Sequence, residues 1–261
     1  MLNGREKNGD LNINWKEYAL GANHFKRKTV GFGKYDKREK EYEKAIHIRE
    51  MSIIQGGIGC AIWDAAIIFS RWVYKNTQVF DGQKVLELGS GVGLPGILAS
   101  YYAAHVTLSD YLPPLIENLQ YNVDLNAKQK NDGSDDEEED EQEQEEGTTE
   151  QKIDIRNRID IKLLNWDEID NIEVKEEDKY DIIFGSELTY NDGMFYEILS
   201  DDRDGVSYFI EKMTQLEFAS HIVPVPSHFL GSYGTKQREE TYKFYSFYYS
   251  KNQNIVHPFC Q

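Results

Sequence analysis

The chain has little cysteine, no long apolar run and no evident basic patch. Its two cysteines, Cys60 and Cys260, have no paired spacing, so neither a disulfide framework nor a zinc site is expected. The six histidines are scattered, and no metal is expected. No stretch approaches the ~20 apolar residues that cross a bilayer. Asp64 and Arg71 interrupt the best candidate, so no membrane association is expected. The opening MLNGREKNGD has no apolar core and does not read as a signal peptide. Together these absences point to a reducing compartment, cytoplasm or nucleus.

Negative charge, by contrast, is plentiful. The formal charge is -17, and Asp132 to Glu150 holds twelve acidic residues and no Lys or Arg. Without that segment the charge would be -5. Hydrophobic content is 39%, below the ~45–50% usual for a globular domain, and this segment explains much of the deficit. Residues 128–152 cannot bury enough apolar surface to order themselves and are expected to be a disordered insertion. A nucleic-acid partner is not expected without a basic surface. A protein partner, basic at its target site, suits the charge balance. Residues 1–43 read as a polar, poorly ordered arm, and residues 44–261 as one α/β domain, expected to be monomeric.

One stretch organises that domain: Lys84 to Ser100, KVLELGSGVGLPGILAS. Val85, Leu86 and Leu88 form an apolar run too short for a helix, which reads as a buried parallel strand. Gly89, Gly91 and Gly93 follow, and Pro95 suits the first turn of a helix. Strand, glycine turn and helix bring backbone N–H groups close to a ligand. Glu87 stands two residues before the first glycine. A second strand, Val106 to Ser109, ends in Asp110, about where an acid should grip ribose hydroxyls. The second half, Gly91-x-Gly93-x-x-Gly96, also fits the dinucleotide fingerprint and leaves a nicotinamide-dependent oxidoreductase open.

Around this centre the pattern is α/β. A helix is expected at Ile62 to Tyr74, and another at Leu115 to Asn126 with Leu115, Leu119 and Val123 on its buried face. Ala45 to Ile48 alternates like one arm of a small hairpin outside the main sheet. Ile159 to Leu163 and Asp181 to Phe184 read as the third and fourth core strands. Further on, Phe195 to Leu199 reads as a short helix and Val206 to Ile210 as a fifth strand. His221 to Val225 and the tyrosine-rich Thr241 to Tyr249 read as the last two. The span between the fifth and sixth strands looks too short for a crossover helix.

Four motifs in order resemble methyltransferase family 16, the methyltransferase-like 21-type lysine methyltransferases. They are Ile62-Trp63-Asp64-Ala65-Ala66, Glu87 to Gly93, Asn165-Trp166, and Glu187-Leu188-Thr189-Tyr190. The last has Glu where the family pattern has Asp. The resemblance covers about Ala45 to Phe195. It implies a Rossmann-like fold with a mostly parallel, doubly wound sheet of seven strands, the last antiparallel. It implies S-adenosylmethionine as cofactor and a lysine of a non-histone protein as target. A histidine-methylating branch has a similar last motif, so the target side chain stays open. A non-catalytic binding module built on the acidic insertion is a further alternative.

The same resemblance implies residue roles. Trp63 would wall the cofactor pocket, and Glu87, Gly89, Ser90, Gly91 and Gly93 would form the turn beneath the cofactor. Asp110 would take the ribose hydroxyls, Trp166 would lie by the adenine, and Ser186 would touch the cofactor. Glu187 and Tyr190 would face the substrate as the catalytic pair. Trp166 and the Glu187 to Tyr190 motif argue against the oxidoreductase.

Overall fold

The structure, a computed structural model, describes residues 13–20, 23–38, 41–52, 57–127, 154–166, 168, 175, 178–186, 188, 198–200, 206–226, 229 and 242–249. Three strands open the chain: β1 (Ile13–Leu20), β2 (Asn23–Asp36) and β3 (Glu41–Glu50), an antiparallel sheet in that order. Much of the stretch expected to be a disordered arm is therefore strand. The expectation weighed polarity and missed the alternation. Val30, Phe32, Ile46 and Ile48 are buried on one face, with Gly31 and His47 between them in the strands. Gly33, at φ 79°, sits where the β2–β3 register shifts between Phe32 and Tyr35, the left-handed position of a bulge.

The core elements follow. Helix α1 (Asp64–Lys75) is buried over almost its whole circumference, from Ala65 to Val73. Then come β4 (Lys84–Leu88), α2 (Leu94–Ala99), β5 (His105–Asp110), α3 (Pro113–Ala127), β6 (Ile159–Leu163) and β7 (Ile182–Gly185). The four strands form a parallel sheet in the order β6-β5-β4-β7. The chain moves outward from β4 to β6 and then returns to the other side of β4. The topological switch point therefore lies between β4 and β7, and ligands of such sheets bind outside the carboxyl ends there.

The last third differs from the sequence expectation in two places. Residues 206–210 belong to a helix, α4 (Val206–Gln215), not to a strand. Val206, Phe209 and Met213 are buried, with Ile210 packed beside them. Those four stand at i, i+3, i+4 and i+7, the period of a helix face, and a five-residue window was too short to show it. The stretch read as a helix at 195–199 ends in a strand, β8 (Ile198–Ser200). With β9 (Phe218–Pro224) and β10 (Tyr242–Tyr249), β8 forms a second antiparallel sheet in the order β8-β10-β9. A helix thus does separate the fifth and sixth strands, and it is α4. Among the described residues seven strands follow α1, the number that the resemblance implied, with the last antiparallel to both its neighbours. Among the described residues they are hydrogen-bonded as four and three, not as one sheet. The two sheets share a core through α1. Phe69 lies 4.7 Å from Phe184 of β7 and 6.4 Å from Phe244 of β10, centroid to centroid.

Helix α3 joins the parallel sheet to the N-terminal one. Its apolar side buries Leu115, Leu119 and Val123, as its spacing predicts. A second stripe, Asn118, Asn122 and Asn126, is also buried and meets the outer edge of β3. Asn122 Oδ1 accepts the Arg49 N–H at 2.8 Å, and its Nδ2 donates to Arg49 O at 3.2 Å and Val92 O at 2.9 Å. Asn126 does the same for His47, at 2.8 and 2.7 Å. These amides satisfy the edge strand as another strand would, and buried backbone groups need such partners. Both ends of the acidic insertion, Ala127 and Asp154, lie beside the amino ends of the strands, because α3 runs back from the carboxyl pole and β6 starts at the amino pole. No helix of the described residues is long and apolar enough to cross a membrane.

Candidate functional site

The carboxyl ends of β4, β5, β6 and β7 bring the glycine turn, Asp110, Trp166 and Ser186 to one pole. After β4 the chain turns through Gly89 to Gly93. Gly91, at φ 53°, is packed so closely that a Cβ there would lie 2.8 Å from the carbonyl oxygen of Gly59. Only glycine suits both the left-handed backbone and that approach. Ser90 ties the turn to β5: its N–H donates to Ser109 O at 2.8 Å, and its Oγ accepts the Ser109 N–H at 3.0 Å. Ser109 Oγ in turn donates to Glu87 O at 2.7 Å.

Two buried carboxyl groups flank the turn. Glu87, 1% exposed, faces α2, where its Oε2 accepts the Gly96 N–H at 3.2 Å. Burial pushes its carboxyl up to about 8, and the nearby Asp110 adds to this against the hydrogen bonds from Ser90 and Gly96. Near neutral pH it is therefore largely protonated. Asp110, the last residue of β5, is buried as well. Its Oδ2 accepts the Gly91 N–H at 2.9 Å and its Oδ1 the Tyr111 N–H at 2.8 Å. Burial raises its carboxyl too, opposed by the N–H groups of Gly91, Tyr111 and Leu112. A carboxylate has about four acceptor positions, so acceptor capacity beyond these bonds remains.

The walls come from four segments. A short 3₁₀ turn, Gly57–Cys60, lies against Gly91, and the Trp63 indole N–H donates to Ile58 O at 2.8 Å, bracing that turn. Trp63, Ile58 and Tyr111 are 41%, 49% and 60% exposed, an apolar rim at this pole. Trp166, just past β6, comes within 3.9 Å of where a Gly89 Cβ would stand. Ser186 follows Gly185, the residue of β7 paired with Leu88. Leu188 is buried across the switch point. Its side chain would meet a Cβ at Gly89 at 2.5 Å and one at Gly185 at 2.3 Å.

Trp63, Glu87, Gly89, Ser90, Gly91, Gly93, Asp110, Trp166 and Ser186 are thus all placed at or beside one turn. Glu187 and Tyr190 lie outside the described residues. Sequence reasoning missed Gly59, Ser109 and Leu188. Gly59 was legible only as part of a glycine-rich connector, and Ser109 only as the neighbour of Asp110. Leu188 gave no signal beyond its place inside the last motif.

The donor and acceptor set fits S-adenosylmethionine. Asp110 offers acceptors for ribose hydroxyls, the turn offers close backbone approach, and Trp166 offers an aromatic surface beside it. The comparisons agree with this chemistry. Residues 40–139 match the model of a family described as lysine methyltransferase. EEF1A lysine methyltransferase 3 of Xenopus tropicalis is 40% identical over 75 residues, 29% of this chain and 33% of that protein. Protein N-lysine methyltransferase METTL21A of Danio rerio is 27% identical over 143 residues, 55% of this chain and 53% of that protein. Histone-arginine methyltransferase METTL23 of Xenopus laevis is 25% identical over 186 residues, 70% of this chain and 64% of that protein. The chain therefore spans a third to just under two thirds of these relatives' lengths. The matched region, residues 40–139, holds the glycine turn and both buried carboxyls, so it is the cofactor-side part of this chain that is similar to the lysine methyltransferase family.

Proposed function

We propose that this protein transfers a methyl group from S-adenosylmethionine to a lysine side chain of another protein. The observation that supports it most is the glycine turn clamped between Glu87 and Asp110 at the switch point, inside the residues that match the lysine methyltransferase family model. The cofactor supplies a methyl group already activated on a sulfonium, so the protein mainly has to align a neutral amine with it.

The chain's own groups divide that task. Asp110 accepts hydrogen bonds from the ribose hydroxyls, a charge-assisted contact. Gly89, Ser90, Gly91 and Gly93 keep the backbone low beneath the cofactor, and Ser109 holds Ser90 in place. Protonated Glu87 sits under the turn as a neutral support. Trp166 would lie by the adenine, Trp63 would wall the pocket, and Ser186 would touch the cofactor from the end of β7. Glu187 would hold and orient the target amine, and Tyr190 would flank it through its ring face. A lysine amine ionises near ~10.4 and must lose its proton before it can react.

The test is mass spectrometry of a native lysate treated with the protein and isotope-labelled cofactor. Label on lysine, lost in Glu187→Ala while cofactor binding persists, is the expected result. Unchanged labelling in that variant removes Glu187 from the mechanism, and no labelled protein in the lysate rejects the activity.

A further inference from the structure

A lysine and a glutamate meet on the buried face of the N-terminal sheet, among Val30, Ile46 and Ile48. Lys28 of β2 is the cross-strand partner of Ile48, and Glu50 lies two residues further along β3, diagonally opposite. The two are 8% and 5% exposed, and Lys28 Nζ donates to Glu50 Oε1 at 2.6 Å. Burial lowers the proton affinity of the ammonium, and Glu50 opposes that shift. A buried ion pair is often no more stabilising than apolar side chains of similar size. Cohesion among valine and isoleucine therefore does not account for this pair, whereas a fixed position for its carboxylate does.

That carboxylate has a second bond. The same Oε1 accepts the Ile62 N–H at 2.7 Å. Trp63 follows Ile62 as the N-cap of α1, with an extended backbone at φ -99° and ψ 156°. Close by, the Met51 N–H donates to Cys60 O at 3.0 Å. The end of β3 thus grips the chain around the Gly57–Cys60 turn twice, once through backbone and once through Glu50. This turn is what meets the glycine turn. Its Gly59 carbonyl lies against Gly91, and a Cβ at Gly59 would stand 2.6 Å from Leu115 Cδ1 of α3. The Trp63 indole N–H reaches back to Ile58 O at 2.8 Å. Lys28, Glu50, Ile62, Trp63 and Ile58 therefore form one connected run from the sheet interior to the apolar rim of the site.

We infer that Glu50 is a positioning residue of the cofactor pocket: held by Lys28, it fixes the Ile62–Trp63 backbone so that the indole stands at the edge of the glycine turn. The inference rests on the lysine-methylation reading for the identity of the cofactor. A glutamate side chain loses much rotamer freedom when it is ordered. Lys28 holds the carboxylate in place from the sheet side, so the Ile62 N–H meets an acceptor already oriented. If the pair served only to hold the sheet together, cofactor affinity would follow stability and not the bond to Ile62.

The test uses the full chain and S-adenosylhomocysteine, titrated by calorimetry into Glu50→Ala, Glu50→Gln and Lys28→Met/Glu50→Ala. Glutamine keeps an acceptor oxygen for the Ile62 N–H and loses the charge. The double variant removes the ammonium along with the carboxylate, so a misfolded Glu50→Ala does not end the test. Both alanine variants should bind about tenfold more weakly. Glu50→Gln should bind near the native level although its denaturation midpoint falls. Trp63→Ala joined to Glu50→Ala should bind no more weakly than Trp63→Ala alone, as residues that act through one another are not additive. Native affinity in the alanine variants overturns the inference. So does a loss in Glu50→Gln equal to that in Glu50→Ala, and so do losses at Glu50 and Trp63 that simply multiply.

Hydrogen exchange at the Ile62 amide, read without cofactor, does not depend on the methylation reading. It should quicken in the alanine variants and stay slow in Glu50→Gln, and slow exchange throughout overturns the inference. Lysate labelling is scored separately. If exchange and affinity follow the expected pattern while no lysate protein takes label, the positioning role stands and the lysine activity falls. If label appears while the alanine variants bind as the native chain does, the activity stands and the positioning role falls.

Discussion

Gly96 lets α2 settle directly onto Glu87: a Cβ at that position would stand 2.4 Å from Glu87 Oε2 and 2.2 Å from Leu108 Cδ2. Gly96→Ala therefore forces the helix off the strand. The expected loss of stability is about 1–3 kcal/mol, the usual cost of overpacking, read from a denaturation midpoint. Affinity for S-adenosylhomocysteine should fall as well, because the same helix anchors the glycine turn.

Glu87 also makes stability depend on pH. Its carboxyl sits at about 8 in the fold against 4.5 ordinarily. Between those values the folded chain binds more protons than the unfolded one, so the contribution of this group is full below 4.5 and is lost as pH rises towards 8. Glu87→Gln should flatten that part of the profile. Denaturation curves across this window test it, and an unchanged slope would mean that Glu87 ionises normally.

The amide ladder on α3 predicts a second stability loss. Asn122→Ala leaves the Arg49 N–H and the Val92 carbonyl without the partner they have now. The expected cost is about 1–3 kcal/mol, with faster hydrogen exchange along β3. Exchange unchanged at Arg49 would show that the ladder is dispensable.

Asp110→Asn should separate the two duties of that residue. An amide oxygen can still accept the Gly91 N–H, so the turn should survive. The charge-assisted grip on ribose hydroxyls should weaken, reducing affinity for S-adenosylhomocysteine by roughly tenfold or more. Calorimetry reads this directly. Unaltered affinity in a folded variant argues that the ribose lies elsewhere.

The parallel half of the fold was legible in the sequence because its signals are local. Val85 to Leu88, the alternate glycines and Asp110 each announce themselves within a few residues. The second antiparallel sheet was less legible, since α4 shows its period only when Val206 to Met213 are read together. The N-terminal sheet was obscured by charge. Its core residues, Val30, Phe32, Ile46 and Ile48, stand among many lysines, arginines and glutamates, and the ion pair of Lys28 and Glu50 is buried beside them. The asparagine stripe could have been seen at i, i+4 and i+8, but asparagine is rarely counted as a packing residue. Leu188 was unreadable in another way. Only the three-dimensional convergence of β4 and β7 gives it two glycines to cover.

The position of Ala127 and Asp154, the described residues on either side of 128–153, at the start-of-strand pole has a practical side. A fluorescent protein or affinity tag spliced into that span would be tethered opposite the glycine turn. A change in the length or composition of that span is expected to leave the glycine turn as it is, which opens the span to anyone building reporters from this chain.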